Sequence, residues 1–265
     1  MLKKIIAFVF IAALLGTGAY WFVLKDSEAD NNNSQTVSGE PLHTITNNEG
    51  TKFKHFTPQE FSDLYNGFAY PNTMPIKNNF SVTENDEADE IINELAESVG
   101  YKVRSAPVTD NFVDIGGERL VQRIAAESWK DLVKEAKKND IDLRVTEGFR
   151  SAEDQNRIFI DRLGNISPDK IIDRSSDSRI EELLKTTAPA GYSRHHTGYT
   201  VDLACDSDPN VLFENSICFK WISGSNYINV KKFGWIPSYP EGIKNQGPDP
   251  ESWEYVWVGL SALKE

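Results

Sequence analysis

The stretch Ser193-Arg194-His195-His196-Thr197-Gly198-Tyr199-Thr200-Val201-Asp202 carries the most information about this chain. A histidine and an aspartate on either side of a glycine can present two metal-binding side chains from one bent segment. A hydrolytic zinc usually takes three protein ligands and a water. The chain has 4 histidines, so finding two of them side by side here is informative. The alternative is a surface turn with a solvated histidine pair, because short metal-like patterns are common.

Two further blocks stand in a fixed order around this stretch. Thr146-Glu147-Gly148-Phe149-Arg150-Ser151-Ala152-Glu153-Asp154-Gln155 precedes it, and Glu251-Ser252-Trp253-Glu254-Tyr255-Val256-Trp257-Val258-Gly259 follows it. Together the three blocks, within roughly residues 112–262, resemble the zinc D-Ala-D-Ala carboxypeptidases and dipeptidases of the vancomycin-resistance type. These enzymes are part of the lysostaphin/D-Ala-D-Ala/hedgehog group of metallopeptidases.

The resemblance implies a role for each residue that falls on a family motif. The implied metal ligands are His195, Asp202 and the position of Glu254; the implied catalytic residues are Glu251, as general base, and Arg150, which faces the substrate carbonyl; Ser193 and Gln155 help to shape the substrate site. The implied cofactor is one zinc ion. For Arg150 the alternative is a surface arginine paired with Glu147 or Asp154, and Trp253 and Trp257 are expected to pack in the core.

The third block departs from the family at one ligand, since Glu254 stands where the family has histidine. A glutamate oxygen binds zinc about as closely as an imidazole nitrogen does. The extra carboxylate lowers the formal charge of a zinc site from about +1 to about 0, which weakens the acidity of bound water. It also favours harder divalent ions such as manganese. His196 is an unfavourable substitute, because adjacent residues on an extended strand point to opposite faces.

These observations lead to one functional hypothesis and two alternatives. We expect a metallopeptidase that hydrolyses peptidoglycan stem peptides, most simply a D-alanyl-D-alanine carboxypeptidase. The first alternative is an endopeptidase with the same centre. The second is a non-catalytic cell-wall-binding protein whose metal site decayed at Glu254. The formal net charge of −12 argues against a nucleic-acid partner, because phosphate binding needs a basic surface.

The amino-terminal sequence predicts where the protein is located. Lys3 and Lys4 precede an apolar run from Ile5 to Leu24, which is about the length that crosses a bilayer as a helix. Residues 1–24 are therefore predicted to be a membrane anchor, with a cleaved signal sequence as the alternative. The two lysines place the amino terminus in the cytoplasm and the rest of this single-pass protein outside the cell membrane. Residues 25–50, rich in Asp, Asn, Ser and Thr, are predicted to be a flexible linker.

The remaining chain is predicted to have an α+β fold, because helical and strand patterns mix without regular alternation. The resemblance implies a small central antiparallel sheet flanked by helices, with the metal in a cleft on one face. Residues 51–111 are assigned to an accessory region and residues 112–265 to the metallopeptidase domain. Helices are predicted to begin at Thr57 and Asn85 and to span 120–139 and 152–163, and strands to span 141–146, 200–204 and 255–258.

Cys205 and Cys218 are the only cysteines. In a protein outside the cytoplasm an even pair at this separation favours a disulfide over a metal site or a nucleophile. A disulfide is therefore predicted just after Asp202, where it would close a short loop.

Overall fold

The computed structural model describes residues 45–46, 50–77 and 80–265. The α-helices of this part are α1 (Pro58–Gly67), α2 (Asp86–Ser98), α3 (Arg123–Lys137), α4 (Ala152–Leu163), α5 (Pro168–Ile172), α6 (Asp177–Leu184) and α7 (Ile217–Lys231). The strands are β1 (Ile45–Thr46), β2 (Lys52–Phe53), β3 (Thr73–Pro75), β4 (Ser105–Pro107), β5 (Phe112–Asp114), β6 (Leu120–Gln122), β7 (Leu143–Glu147), β8 (Thr200–Cys205), β9 (Trp235–Tyr239) and β10 (Glu251–Trp257). Two short 3₁₀ turns span Arg194–Thr197 and Phe213–Asn215.

A four-stranded sheet in the order β7-β8-β10-β9 forms the centre of the fold. Every neighbouring pair in it is antiparallel. β1 pairs with β2, β3 with β4 and β5 with β6 in separate two-stranded sheets. The mixture of helices with small antiparallel sheets confirms the predicted fold class.

Local sequence signals set the starts of several helices. Thr57 caps α1 by accepting from the Glu60 backbone N–H, while the Glu60 carboxylate accepts from the Thr57 N–H at 2.7 Å, which completes a capping box. Asn85 caps α2, and Ser151 caps α4. Each cap satisfies an N–H group that has no partner within its helix. The predicted starts of these helices are therefore confirmed.

The predicted helix over 120–139 is wrong in its first turn. Leu120–Gln122 is a strand that pairs with Phe112–Asp114, and α3 begins at Arg123. Gly116 and Gly117, both at positive φ, turn the chain between the two strands. Pairing across this short turn has overridden the local helical pattern.

Two hydrophobic cores hold the described residues together. The first lies around the central sheet and contains Trp129 of α3 and Trp235 of β9; the second packs α2 against α4, α5 and α6 through residues such as Ile92 and Phe159. The region 51–111 contributes to both cores, and the described residues form one compact unit.

Cys205, at the end of β8, is disulfide-bonded to Cys218 in the first turn of α7. The predicted disulfide is thus confirmed. The bond ties α7 to the strand that carries Asp202.

The predicted anchor at 1–24 and most of the predicted linker at 25–50 lie outside the described residues. Within that linker interval, Ile45–Thr46 pairs with β2. In the part of the chain that the structure describes, no helix combines the length and the apolar character needed to cross a bilayer.

Candidate metal centre

Strand pairing brings two of the predicted ligands face to face. Glu254 of β10 is the direct Cα partner of Asp202 on β8. Opposite residues of an antiparallel pair project their side chains to the same face. The 3₁₀ turn at Arg194–Thr197 precedes β8 and supplies His195 to this face.

His195 is oriented by a backbone carbonyl. Its Nδ1 donates to the Gly148 oxygen at 2.8 Å, so in the neutral imidazole the unprotonated nitrogen is Nε2. That Nε2 lies 3.3 Å from Asp202 Oδ1 and 3.2 Å from Glu254 Oε2. One ligand atom from each of the three residues lies within 4.8 Å of the others. The lone pair of a neutral His195 therefore faces two carboxylates.

The donor set fits a divalent cation. Asp202 Oδ1 and Glu254 Oε1 are buried and have no hydrogen-bond partner within the described part of the chain. A buried carboxylate oxygen without a partner is costly. One imidazole nitrogen and two carboxylate oxygens are suitable ligands for zinc and for harder divalent ions. The structure brings together the three residues that the sequence predicts as ligands, with the Glu254 carboxylate turned into the cluster.

Without a cation, these three side chains strongly shift one another's pKa values. Burial lowers the pKa of His195, but Asp202 and Glu254 outweigh it and hold that pKa well above its ordinary value. Burial, with repulsion from Glu254, raises the pKa of Asp202 above its ordinary value despite the nearby charge of His195. Burial also raises the pKa of Glu254, yet the hydrogen bond and charge of His195, with the charge of Arg194, keep that pKa below its ordinary value. Such strong mutual perturbation marks a functional site.

Glu251 lies next to the cluster because β10 is bulged. The register shifts between Glu251, paired with Tyr239, and Tyr255, paired with Pro237. In a regular strand Glu251 and Glu254 would face opposite sides, but here both line one cleft. Burial, followed by repulsion from Glu254 and Asp202, raises the pKa of Glu251 to about 9. A cation held by those carboxylates would oppose this rise in the pKa of Glu251.

His196 cannot serve as a ligand in this arrangement, although not for the reason given from the sequence. It lies in a 3₁₀ turn and not on an extended strand. Its Nδ1 donates to the Arg150 carbonyl oxygen at 2.8 Å, and its Nε2 accepts from the Gly191 N–H at 3.1 Å. Burial lowers the pKa of His196 to about 4. Both ring nitrogens are used in holding the polypeptide together.

Arg150 lines the cleft and is held by two side chains. Its guanidinium donates to Gln155 Oε1 at 2.8 Å and pairs with Glu147 at 3.1 Å. Gln155 in turn donates to the Ala188 carbonyl at 2.6 Å. Gln155 therefore positions Arg150, and the predicted pairing of Arg150 with Glu147 coexists with its place in the cleft. Ser193 also lines the cleft, where its hydroxyl accepts from the His195 N–H.

Two arginines of the cleft were missed from the sequence. Arg194 is buried between the rings of Tyr65 and Tyr239, at 3.8 and 3.6 Å from their centroids, and it donates to Ser238. Arg162, on the last turn of α4, is exposed and donates to Thr187 Oγ1 at 2.6 Å. Arg194 stands next to His195 in the sequence, but a neighbouring position gives no indication of a buried contact. Nothing in the sequence around Arg162 sets it apart.

These residues line one opening of about 220 Å³, which we call the central cleft. It is bordered by Arg150 and Arg162 on the one hand and by His195, Asp202, Glu251 and Glu254 on the other. Trp253 is 37% exposed at its edge, contrary to the expectation that it packs in the core. Trp257 is buried and stacks on Tyr199, as expected.

Residues 118–260 match the family model described as VanY, D-alanyl-D-alanine carboxypeptidase, which is more than half of the chain. The chain belongs to this family. The match confirms the resemblance that the three sequence blocks indicate. The matched range includes the predicted site residues Arg150, Gln155, Ser193, His195, Asp202, Glu251 and Glu254.

Individual relatives are similar over part of their length. The putative carboxypeptidase YodJ of Bacillus subtilis (strain 168) is 26% identical over 151 residues, which are 56% of this chain and 50% of YodJ. The chain thus spans about half the length of this curated relative. The LdcB LD-carboxypeptidase structure has a TM-score of 0.45 at 24% identity and covers 58% of this chain and 71% of its own. The structure of VanYB in complex with D-alanine-D-alanine has a TM-score of 0.45 at 21% identity, and the match covers 61% of this chain and 81% of VanYB.

Proposed function

We propose that this VanY-family chain is a metal-dependent carboxypeptidase that removes the terminal D-alanine from peptidoglycan stem peptides. The observation that carries the proposal is the convergence of His195, Asp202 and Glu254 beside Glu251 in the central cleft. A bound divalent cation would polarise the scissile carbonyl and make a water more acidic.

Glu251 is positioned to move the proton. It accepts a proton from the attacking water as the new C–O bond forms, and it returns that proton to the leaving amine as the C–N bond breaks. A carboxylate whose pKa is raised by burial and negative neighbours is suited to both steps, since it releases and takes up protons near neutral pH once those neighbours are balanced.

Two arginines of the central cleft favour a substrate that has a free C-terminal carboxylate. Arg150 is fixed by Glu147 and Gln155, which suits it to the developing negative charge on the carbonyl oxygen. Arg162 has no carboxylate partner within the described part of the chain, so its charge is free for the substrate. This supports exopeptidase over endopeptidase action.

The non-catalytic alternative rests on Glu254 standing where the family has histidine. Against it, the Glu254 side chain is buried and turned toward His195, and its Oε1 has no hydrogen-bond partner among the residues that the structure describes. If position 254 no longer bound a metal ion, a buried charged side chain at that position would have no function, and burying a charge is costly.

The proposal includes location. A single-pass anchor at residues 1–24 would hold the domain on the outer side of the cell membrane, near its substrate. The disulfide between Cys205 and Cys218 supports an oxidising compartment.

The test is release of D-alanine from a pentapeptide that ends in D-Ala-D-Ala, using purified chain loaded with zinc or manganese. We expect release by the wild type and loss in Glu251→Gln with the metal retained. A metal-loaded wild type that binds the peptide without releasing D-alanine would favour the non-catalytic alternative.

A further inference from the structure

Arg194 is a buried cation without a direct ion pair. It is 1% exposed. One nitrogen of its guanidinium donates to the backbone oxygen and to the hydroxyl of Ser238, the latter at 3.0 Å, and its Nε has no partner within the described residues. In the part of the chain that the structure describes, no carboxylate forms an ion pair with it. Burying a charge is costly unless another charge compensates it.

The rings around Arg194 exclude water without neutralising its charge. Its guanidinium lies 3.8 Å from the ring centroid of Tyr65 and 3.6 Å from that of Tyr239. Aromatic faces attract a guanidinium but carry no net charge. The guanidinium of Arg104 also lies over the Tyr65 ring, at 4.8 Å, and adds a second positive charge there. An anion is therefore needed to balance Arg194.

Glu254 is placed to be that anion. Arg194 directly precedes His195, whose Nε2 lies 3.2 Å from Glu254 Oε2. Ser238, which accepts from Arg194, lies on β9 opposite the bulged segment of β10 that carries Glu254. Glu254 is 4% exposed, so water screens its interaction with Arg194 only weakly.

The electrostatic surroundings of Glu254 include both Arg194 and Ser238. Burial raises the pKa of Glu254, and the hydrogen bond and charge of His195 lower it. The charge of Arg194 and a hydrogen bond from Ser238 lower that pKa further, so that it lies below its ordinary value. The direction of these effects agrees with the placement of the groups.

The formal charge of the centre shows what Arg194 adds. A divalent cation held by one neutral imidazole and two carboxylates has a formal charge of about 0, whereas the two imidazoles and one carboxylate of the family motif leave about +1. The buried guanidinium of Arg194 returns the sum to about +1. The acid at position 254 and the arginine at position 194 therefore compensate each other.

We propose that Arg194 is the internal counterion of Glu254 and makes an acidic third ligand compatible with a buried metal centre. Arg194 is a positioning residue, because it acts through Glu254 and is too deeply buried to contact the substrate. The inference rests on the proposed function, in which Glu254 is a metal ligand, and adds to it the residue on which that ligand depends.

The first test is a double-mutant cycle on the stability of the metal-free chain, measured by denaturant titration in the presence of a chelator. Arg194→Met and Glu254→Gln each remove one charge and keep most of the side-chain length. Each single variant should be less stable than the wild type, because each leaves the other charge buried alone. The double variant should be more stable than the sum of the two losses predicts, by about tenfold in the unfolding equilibrium constant.

The matched control is Arg104→Met, because Arg104 is also buried and contacts the same Tyr65 ring but donates to Asn66 at 2.9 Å. Combined with Glu254→Gln, it should give additive losses. Additive losses for Arg194→Met as well would overturn the proposal. If Arg194→Met alone does not fold, a folded double variant supports the proposal, and a double variant that is also unfolded overturns it.

The second test measures zinc affinity, which a purely structural role of Arg194 would not improve. In Glu254→His the guanidinium stays buried beside the cation without an acid to balance it. Adding Arg194→Met to that variant should therefore tighten zinc binding about tenfold in chelator competition. Unchanged or weaker zinc binding would contradict the counterion role.

The two proposals fail separately. The stability cycle uses metal-free protein, so it can return additive losses while the wild type still releases D-alanine. A wild type that releases no D-alanine, with the coupling between Arg194 and Glu254 intact, would instead remove the proposed function and leave the counterion in place.

Discussion

Asp202 and Glu254 are direct partners across two antiparallel strands, and each carries a buried oxygen to which no group in the described part of the chain donates a hydrogen bond. Two acidic groups in such positions repel each other unless a positive charge lies between them. His195 contributes a nitrogen to the same point. This relationship makes a divalent cation the simplest account of the cluster.

The acidic third ligand should control which ion is preferred. We expect Glu254→Ala to weaken metal binding by about 10-fold or more, because one donor is lost and two remain. We expect Glu254→His to shift the preference from manganese toward zinc, since a nitrogen replaces a hard oxygen. Competition titration with a metal chelator measures both effects. Glu153→Ala, away from the cluster, is the control, and an equal affinity in Glu254→Ala would exclude Glu254 as a ligand.

Glu251 should be required for turnover but not for metal binding. Glu251→Gln keeps the shape of the side chain and removes its ability to accept a proton, so kcat should fall by about 10²–10⁴-fold. Steady-state kinetics together with metal analysis of the same sample distinguish the two roles. Loss of the metal along with the activity would instead make Glu251 a ligand.

Arg162 should bind the free carboxylate of the substrate. Replacing it with methionine removes the charge and keeps much of the stem length, so KM for a peptide with a free C-terminus should rise by about tenfold. A peptide with an amidated C-terminus should be a poor substrate for both proteins. If Arg162→Met leaves KM unchanged, the argument for exopeptidase specificity from this residue is wrong.

The disulfide should contribute measurably to stability. Closing a loop of this length is worth about 3 kcal/mol, most of it through the unfolded chain. Cys205→Ser/Cys218→Ser should lower the free energy of unfolding by about this amount in denaturant titrations. Thiol titration of the native wild type should find no free cysteine.

Lys231 should make stability depend on pH in the alkaline range. It is fully buried, donating to the Lys54 oxygen and to Asn226 Oδ1, and burial lowers its pKa to about 8 from an ordinary value of 10.5. Between these two values the unfolded chain binds more protons than the folded one, so the contribution of Lys231 to stability rises with pH. Denaturant titrations at pH 8 and pH 10 should show this gain in the wild type relative to Lys231→Met. The neighbouring variant Lys232→Met should retain the gain, and its loss there would contradict the assignment to Lys231.

Local signals allowed much of the fold to be predicted. The caps at Thr57, Asn85 and Ser151 are determined by neighbouring residues, so the starts of their helices were correct. Leu120–Gln122 was misassigned, because its strand depends on pairing with Phe112–Asp114 and not on local propensity.

The sequence motifs predicted the residues of the site that belong to the motifs, but not the residues and backbone features outside them. They located the residues that converge on His195, but not the bulge in β10 that turns Glu251 toward Glu254. Arg162, Arg194 and the exposure of Trp253 depend on contacts between distant segments, which a single sequence does not display.

Metal analysis of the purified chain, after exposure to zinc or manganese and removal of excess ion, shows directly whether the cluster of His195, Asp202 and Glu254 holds a cation. We expect about one tightly held divalent ion per chain in the wild type, because three donors converge on one point, and a much lower occupancy in His195→Ala or Asp202→Ala, where two donors remain. A folded wild-type protein that retains neither ion would contradict this expectation.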